Sequence, residues 1–157
     1  MSKRQILVDF DHTLFNTEKF KEILKTGTIP GYPEFLYDDA PQFLEYAREY
    51  GELALLSEGE PDFQKEKIEK SGISKFFSEV KIFPSFQKST YFAQVSDKPN
   101  VILIDDKPDI IDEAVSVGLT VIRVKRGKYK DAETKFRPRY VVNSLQEIID
   151  KDILKNV

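Results

Sequence analysis

Residues 8–15, "VDFDHTLF", set two carboxylates, Asp9 and Asp11, two positions apart where an apolar run gives out. The run itself, Ile6, Leu7 and Val8 in succession, does not alternate, which is the pattern of a strand covered on both faces in a parallel sheet. Four further stretches read the same way: "LALLS" (53–57), "VKIF" (80–83), "NVILID" (100–105) and "LTVIRV" (119–124). Helical patterns separate them. Residues 41–50 open on Pro41, set Phe43, Leu44 and Ala47 on one face and stop at Gly51. Residues 61–71 open on Pro61 and stop at Gly72, and residues 108–118 open on Pro108 with Ile111, Ala114 and Val115 toward the sheet. This alternation predicts an α/β fold, a doubly wound parallel sheet with right-handed crossovers and its functional groups at the carboxyl ends of the strands.

The segment from Asn16 to Asp39 departs from the alternation. One helix over "TEKFKEILKT" and a Gly- and Pro-rich stretch, "GTIPGYPEF", read as a small helical insertion (about 16–39) over one end of the sheet. The 157 residues (1–157) suffice for one domain carrying that insertion. A formal net charge of -3 argues against a general nucleic-acid binder, and the absence of cysteine removes disulfides and thiolate metal sites. The first apolar run is too short and too interrupted by acids for a signal peptide or membrane span. The expectation is a soluble cytoplasmic monomer with no membrane partner.

If the first strand covers 5–10, Asp9 ends it and Asp11 lies just beyond, and the spacing aims both acids at one small volume. The fourth strand ends in a second pair, Asp105 and Asp106. Clustered carboxylates repel, so the arrangement calls for a cation or for different protonation states. With His12 the single histidine, the donor set is oxygen and suits Mg²⁺ better than zinc. For any one acid, capping the next helix is an equal alternative, but capping requires one acid rather than a pair.

"DFDHTLF" resembles the first motif of the haloacid dehalogenase superfamily in the Asp-x-Asp-x-Thr form of its phosphatases. The other three motifs follow in order. Ser57 ends an apolar strand in "LALLSEGEPDFQKEKIEKSGISKFF", where Gly59, Gln64, Lys67 and Gly72 also look like many members of that branch. Lys88 in "FQKSTYFAQV" stands at a helix start before the fourth strand, with Lys81 as a weaker rival, and "ILIDDKP" is the acidic strand end. Together the matches run from about residue 5 to "YVVNSLQEII".

The resemblance implies a Mg²⁺-dependent phosphatase that hydrolyses a phosphomonoester through an aspartyl-phosphate. Asp9 would be the nucleophile and Asp11 the general acid and base, with Ser57 and Lys88 holding the phosphoryl group. Mg²⁺ would be bound by Asp9, Asp106 and the backbone carbonyl of Asp11. Asp106 is preferred because it lies 12 residues before Gly118, and Asp105 is a further ligand or a supporting acid. Many members carry another acid or an Asn shortly afterwards; here Ile110 aligns there, with Asp109 just before it. The dehalogenases lack the second acid of the first motif, which Asp11 supplies here. A non-catalytic phospho-ligand binding module and a phosphomutase are the alternatives, the latter set back by the short insertion. The substrate would be a small phosphomonoester or a phosphorylated macromolecule.

Weaker features complete the reading. His12 reads as a variable loop residue and Thr13 as a tie within the loop. Phe15, Tyr32, Phe35 and Tyr37 would either wall the substrate or pack the insertion onto the sheet. In "VKRGKYKDAETKFRPRY" (124–140), Lys125, Arg126, Lys128, Lys130, Lys135, Arg137 and Arg139 face Asp131 and Glu133, giving either a solvated loop or an anion-steering surface.

Overall fold

The computed structural model describes residues 3–85 and 87–157. Six strands form one sheet: β1 (Gln5–Asp9), β2 (Glu52–Glu58), β3 (Glu79–Phe83), β4 (Val101–Asp105), β5 (Thr120–Val124) and β6 (Tyr140–Val142). Their order is β3-β2-β1-β4-β5-β6, and every pairing is parallel. The chain builds outward from β1 in one direction through β2 and β3. It then returns and builds the other way from β4, so the winding reverses between β1 and β4. Crevices form at such a reversal because the helices on either side of it leave to opposite faces.

Both faces of the sheet are covered, as the unbroken apolar runs require. On one face Ile6, Val8, Leu53, Leu55, Ile102, Ile104 and Ile122 pack under α2 (Ala40–Ala47), α3 (Pro61–Ser71) and α6 (Leu145–Asp150). On the other, Leu7, Ala54, Leu56, Leu103 and Val121 meet α4 (Lys88–Gln94) and α5 (Pro108–Ser116). The expected helix face holds: Phe43, Leu44 and Ala47 are buried, as are Ile111 and Ala114, while Val115 is partly buried against the second core. The expected strands and helices are all present with ends shifted by a few residues. The sequence reading names neither β6 nor the closing helices α6 and α7 (Ile153–Asn156). β6 has three residues, one of them half exposed, which is too short to show a pattern.

Residues 16–39 carry α1 (Thr17–Leu24) and the 3-10 turn Tyr32–Phe35. The aromatic residues pack this segment down rather than wall a ligand. Phe15 lies 5.4 Å from Phe20, and Phe20 lies 5.2 Å from Phe35 and 5.5 Å from Tyr32, ring centre to ring centre. Tyr37 instead receives the Arg126 guanidinium on its ring face at 3.8 Å.

Asp39 fastens three segments together. Its carboxylate accepts both Arg126 Nη1 contacts, at 2.9 and 3.0 Å, and the backbone N–H groups of Leu145 and Gln146 that open α6. Arg126 also donates to the Thr13 carbonyl. Of the basic segment, then, Arg126 is structural. Asp39→Ala leaves Arg126 unpaired and α6 without its anionic partner, and should lower stability by about 2–3 kcal/mol in urea unfolding. A change below ~0.5 kcal/mol would show that Asp39 holds nothing together.

Candidate active site

Val8 pairs with Ile104, so Asp9 and Asp105 leave the sheet side by side. Both continue the parity of Leu7 and Leu103, toward the face that carries α4. Lys88, the first residue of α4, meets them there: its Nζ lies 2.6 Å from Asp9 Oδ1 and 3.2 Å from Asp105 Oδ2. Lys88 is 2 % exposed. Lys81, its rival, stays on β3 and pairs with Glu79 at 3.0 Å. The structure therefore brings Lys88, not Lys81, to the acids.

Asp106 completes the cluster. One oxygen each from Asp9, Asp105 and Asp106 lies within 4.8 Å of the others, and all three residues are buried. Thr13 bridges two of them, donating to Asp9 Oδ2 at 3.1 Å and Asp106 Oδ1 at 3.3 Å. Asp105 is saturated, since its Oδ1 accepts the N–H groups of Asp106 and Lys107 and its Oδ2 holds Lys88. Asp106 Oδ2, by contrast, is buried with no partner.

The electrostatics follow from three buried carboxylates facing one ammonium. Burial, then Asp105, pushes the Asp9 carboxyl up to about 6 against the opposing pull of Lys88. Burial, then Asp9 and Asp105, lifts Asp106 well above the usual carboxylate range. For Lys88, burial would lower the pKa, but Asp105 and Asp9 outweigh it and hold the ammonium charged. A buried cluster short of positive charge, with one oxygen orphaned, fits a divalent cation bound by hard oxygen donors.

The carboxylate of Asp11 does not join this cluster. The chain turns at Phe10, whose carbonyl accepts the N–H groups of Thr13, Leu14 and Phe15, and His12 takes a positive φ of 64°. The two-residue spacing thus loses its strand geometry: both acids line one cleft, as expected, but the Asp11 carboxylate stands outside the Asp9–Asp105–Asp106 cluster. Asp11 turns toward α3 instead. It receives Lys67 Nζ at 2.8 Å and Thr17 Oγ1 at 2.7 Å on Oδ1, and Gln64 Nε2 at 2.7 Å on Oδ2. Burial raises the Asp11 carboxyl, yet Lys67 and these hydrogen bonds prevail and hold it below its ordinary value. The Lys67 ammonium is itself caged by Phe10, Phe15, Phe20 and Phe63, with Phe63 nearest at 4.9 Å.

Ser57 lies at the end of β2, fully buried. Gln64 Nε2 reaches it at 2.6 Å and so bridges Ser57 and Asp11. The close approach of Gln64 requires glycine at position 59, where φ is +148° and a Cβ would stand 2.9 Å from the Gln64 chain. The cleft over these residues has a volume of about 320 Å³ and is lined by Asp9, Asp11, Lys88, Asp105 and Asp106 among others. Ile110 also lines it. Asp109 turns to its own helix, where it accepts the Ile110 N–H.

The chain is similar to known proteins in the same terms. It is 30 % identical over 115 residues to the curated glyceraldehyde 3-phosphate phosphatase of Methanocaldococcus jannaschii, a match covering 67 % of this chain and 50 % of that one. The chain thus spans about half the length of that relative. A haloacid dehalogenase-like hydrolase of Burkholderia xenovorans superposes with a TM-score of 0.79 at 14 % identity, over 100 % of both chains. The chain belongs to the haloacid dehalogenase superfamily. Two more superfamily structures share the fold. YfnB of Bacillus subtilis, solved bound to magnesium, gives a TM-score of 0.71 at 14 % identity, over 96 % of this chain and 99 % of its own. The L-2-haloacid dehalogenase of Xanthobacter autotrophicus gives 0.64 at 15 % identity over the same shares. No family model matches the chain.

Sequence reasoning missed the part played by Gln64 and Lys67. The signal was present: the buried stripe of α3 is Gln64, Lys67, Ile68 and Ser71, so three polar residues occupy positions that helical spacing assigns to a core. A buried polar stripe means polar partners.

A carboxyl whose folded pKa is raised binds protons better folded than unfolded. The stability it confers is present at low pH and is lost as pH rises from 3.8, its ordinary value, to about 6. Asp106 acts in the same direction, and Asp11, being lowered, acts below that window. In chelator, the melting temperature should fall across this range, and Asp9→Asn should make the slope shallower. A flat profile in both proteins would sink the buried-acid assignment.

Proposed function

We propose that this chain is a Mg²⁺-dependent phosphatase that hydrolyses a small phosphomonoester through an aspartyl-phosphate on Asp9. The observation that carries the proposal is the buried cluster of Asp9, Asp105 and Asp106 around Lys88, with Asp106 Oδ2 left unpartnered. The curated relative's name as a phosphatase supports the choice of phosphomonoesters. Asp11 supports it over dehalogenation, in which a departing halide needs no proton.

In the proposed reaction a carboxylate oxygen of Asp9 attacks phosphorus as the ester P–O bond breaks, and the departing alkoxide takes a proton from Asp11. Asp11 then draws a proton from water, whose oxygen attacks phosphorus and breaks the bond to Asp9, restoring the carboxylate. Mg²⁺, held by Asp9, Asp106 and the Asp11 carbonyl, would offset the charge of the phosphoryl oxygens. Lys88 adds a second fixed positive charge, and Ser57, whose Oγ accepts from Gln64, has its O–H free to donate a hydrogen bond. Asp11 begins ionised beside Lys67, so it must gain a proton as the ester arrives. The ester's own negative charge raises the Asp11 pKa and favours that gain.

On this reading residues 16–39 serve as a minimal cap. A cleft of about 320 Å³ lies at the small end of the range for ligand sites, which supports a short leaving group over a protein substrate.

Phosphate release from a panel of phosphomonoesters, with Mg²⁺ or with chelator, tests the proposal. Turnover should require the metal and vanish in Asp9→Asn; appreciable turnover in that variant removes Asp9 as nucleophile and favours another reaction. Asp11→Asn should cost about 10²–10⁴-fold, most for esters with poor leaving groups. Equal losses for good and poor leaving groups would remove its acid role. Independently of turnover, Mg²⁺ should raise the melting temperature of the wild type and much less that of Asp106→Asn.

A further inference from the structure

The cleft continues past the acids to an outer wall that is cationic. Lys21 of α1 and Lys128 of the 3-10 turn Gly127–Tyr129 both line it, brought together from distant parts of the chain by the packing of α1 against that turn. Both side chains are exposed, and among the described residues neither makes an ion pair. Lys128 instead rests over the Tyr129 ring at 5.4 Å. On the opposite wall Glu60 is committed to α3, accepting the N–H groups of Asp62 and Phe63, which leaves Glu58 as the acid facing the mouth.

The position of Lys128 is fixed by tight packing. Gly127, at a φ of +73°, presses on His12 so closely that a Cβ would stand 2.8 Å from the imidazole Nδ1. The neighbouring Arg126 is latched to Asp39 and to the Thr13 carbonyl. The turn is thereby clamped to the loop that carries Asp9 and Asp11. His12 lines the same cleft as the two lysines.

We infer that Lys21 and Lys128 form an anion subsite beside His12 that selects phosphomonoesters bearing a carboxylate on the leaving group. This rests on the proposed phosphatase reading and deepens it. Two exposed ammonium groups that make no ion pair among the described residues give this wall a local positive potential, which a second substrate anion would meet. A cleft of about 320 Å³ suits a short phosphorylated acid.

The test compares 3-phosphoglycerate with glycerol 3-phosphate, which share a three-carbon chain and a phosphate and differ as carboxylate against hydroxymethyl. The wild type should show a KM about tenfold lower for the carboxylate ester, and the gap should narrow at high salt. In Lys21→Ala/Lys128→Ala the KM ratio should approach one, while Lys21→Arg/Lys128→Arg should retain it. Equal KM values in the wild type, or a preference that survives the double alanine variant, overturns the subsite. Calorimetric titration of both esters into Asp9→Asn separates this from the reaction itself. If neither ester is hydrolysed but the affinity gap and its loss on double alanine substitution persist, the phosphatase reading fails and the subsite stands. Equal or absent binding of both esters overturns the subsite.

Discussion

The Lys88 ammonium between Asp9 and Asp105 is the contact on which the functional edge depends. Each partner by itself is an expensive thing to bury, and a carboxylate taken from water without compensation neutralises instead. Here β1 and β4 deliver two acids side by side, and α4 delivers the cation from the face those acids share. The pair is therefore a product of topology. It needs the reversal of winding at β1 and β4, and it needs α4 to cross on the proper face. The cluster is still one cation short of balance, which adds to burial in raising the pKa of Asp9 and Asp106, and one oxygen of Asp106 is left without a partner. An imbalance of this kind is a cost to the fold that a bound ligand relieves.

A second network stands beside the first and is kept apart from it. Asp11 belongs to α3 through Lys67 and Gln64, and Gln64 in turn covers Ser57. The two acids of the opening motif thus sit in environments that push them in opposite directions, Asp9 up and Asp11 down. Lys67 gains from both kinds of partner: the carboxylate at one side and four aromatic rings around it. Those rings are also what anchors residues 16–39, so the packing of that segment and the placement of Asp11 are one arrangement.

The loop after β5 plays an equivalent part from the other side. Arg126 closes on Asp39 and Tyr37, Gly127 fits against His12, and Tyr129 backs the cleft wall. Arg123, buried in β5, holds the loop by donating to the Tyr129 and Ala132 carbonyls. Within the run that reads as basic, Arg126 therefore turns inward to fix the backbone, while Lys128, Lys130, Lys135, Arg137 and Arg139 stay exposed. Guanidinium suits the inward task because its planar fork satisfies several acceptors at once.

The sequence by itself determined the sheet and the address of the site. Unbroken apolar runs cannot lie on a one-sided sheet, and helices opened by proline and closed by glycine alternate with them, so a doubly wound parallel fold followed. Asp9, Ser57, Lys88, Asp105 and Asp106 were legible because each stands at a strand end or helix start, where such a fold collects its chemistry. The tertiary structure alone decided which of these residues meet. The spacing of Asp9 and Asp11 brought both to one cleft, but a turn closing on the Phe10 carbonyl rotated the Asp11 carboxylate to α3 and out of the acid cluster. Lys81 remained a weaker rival of Lys88 until α4 placed Lys88 against the acids and β3 kept Lys81 with Glu79. Side-chain direction at the end of a strand depends on the turn that follows and on the partner that receives it. Both are contacts between residues far apart in the chain, which no local pattern records.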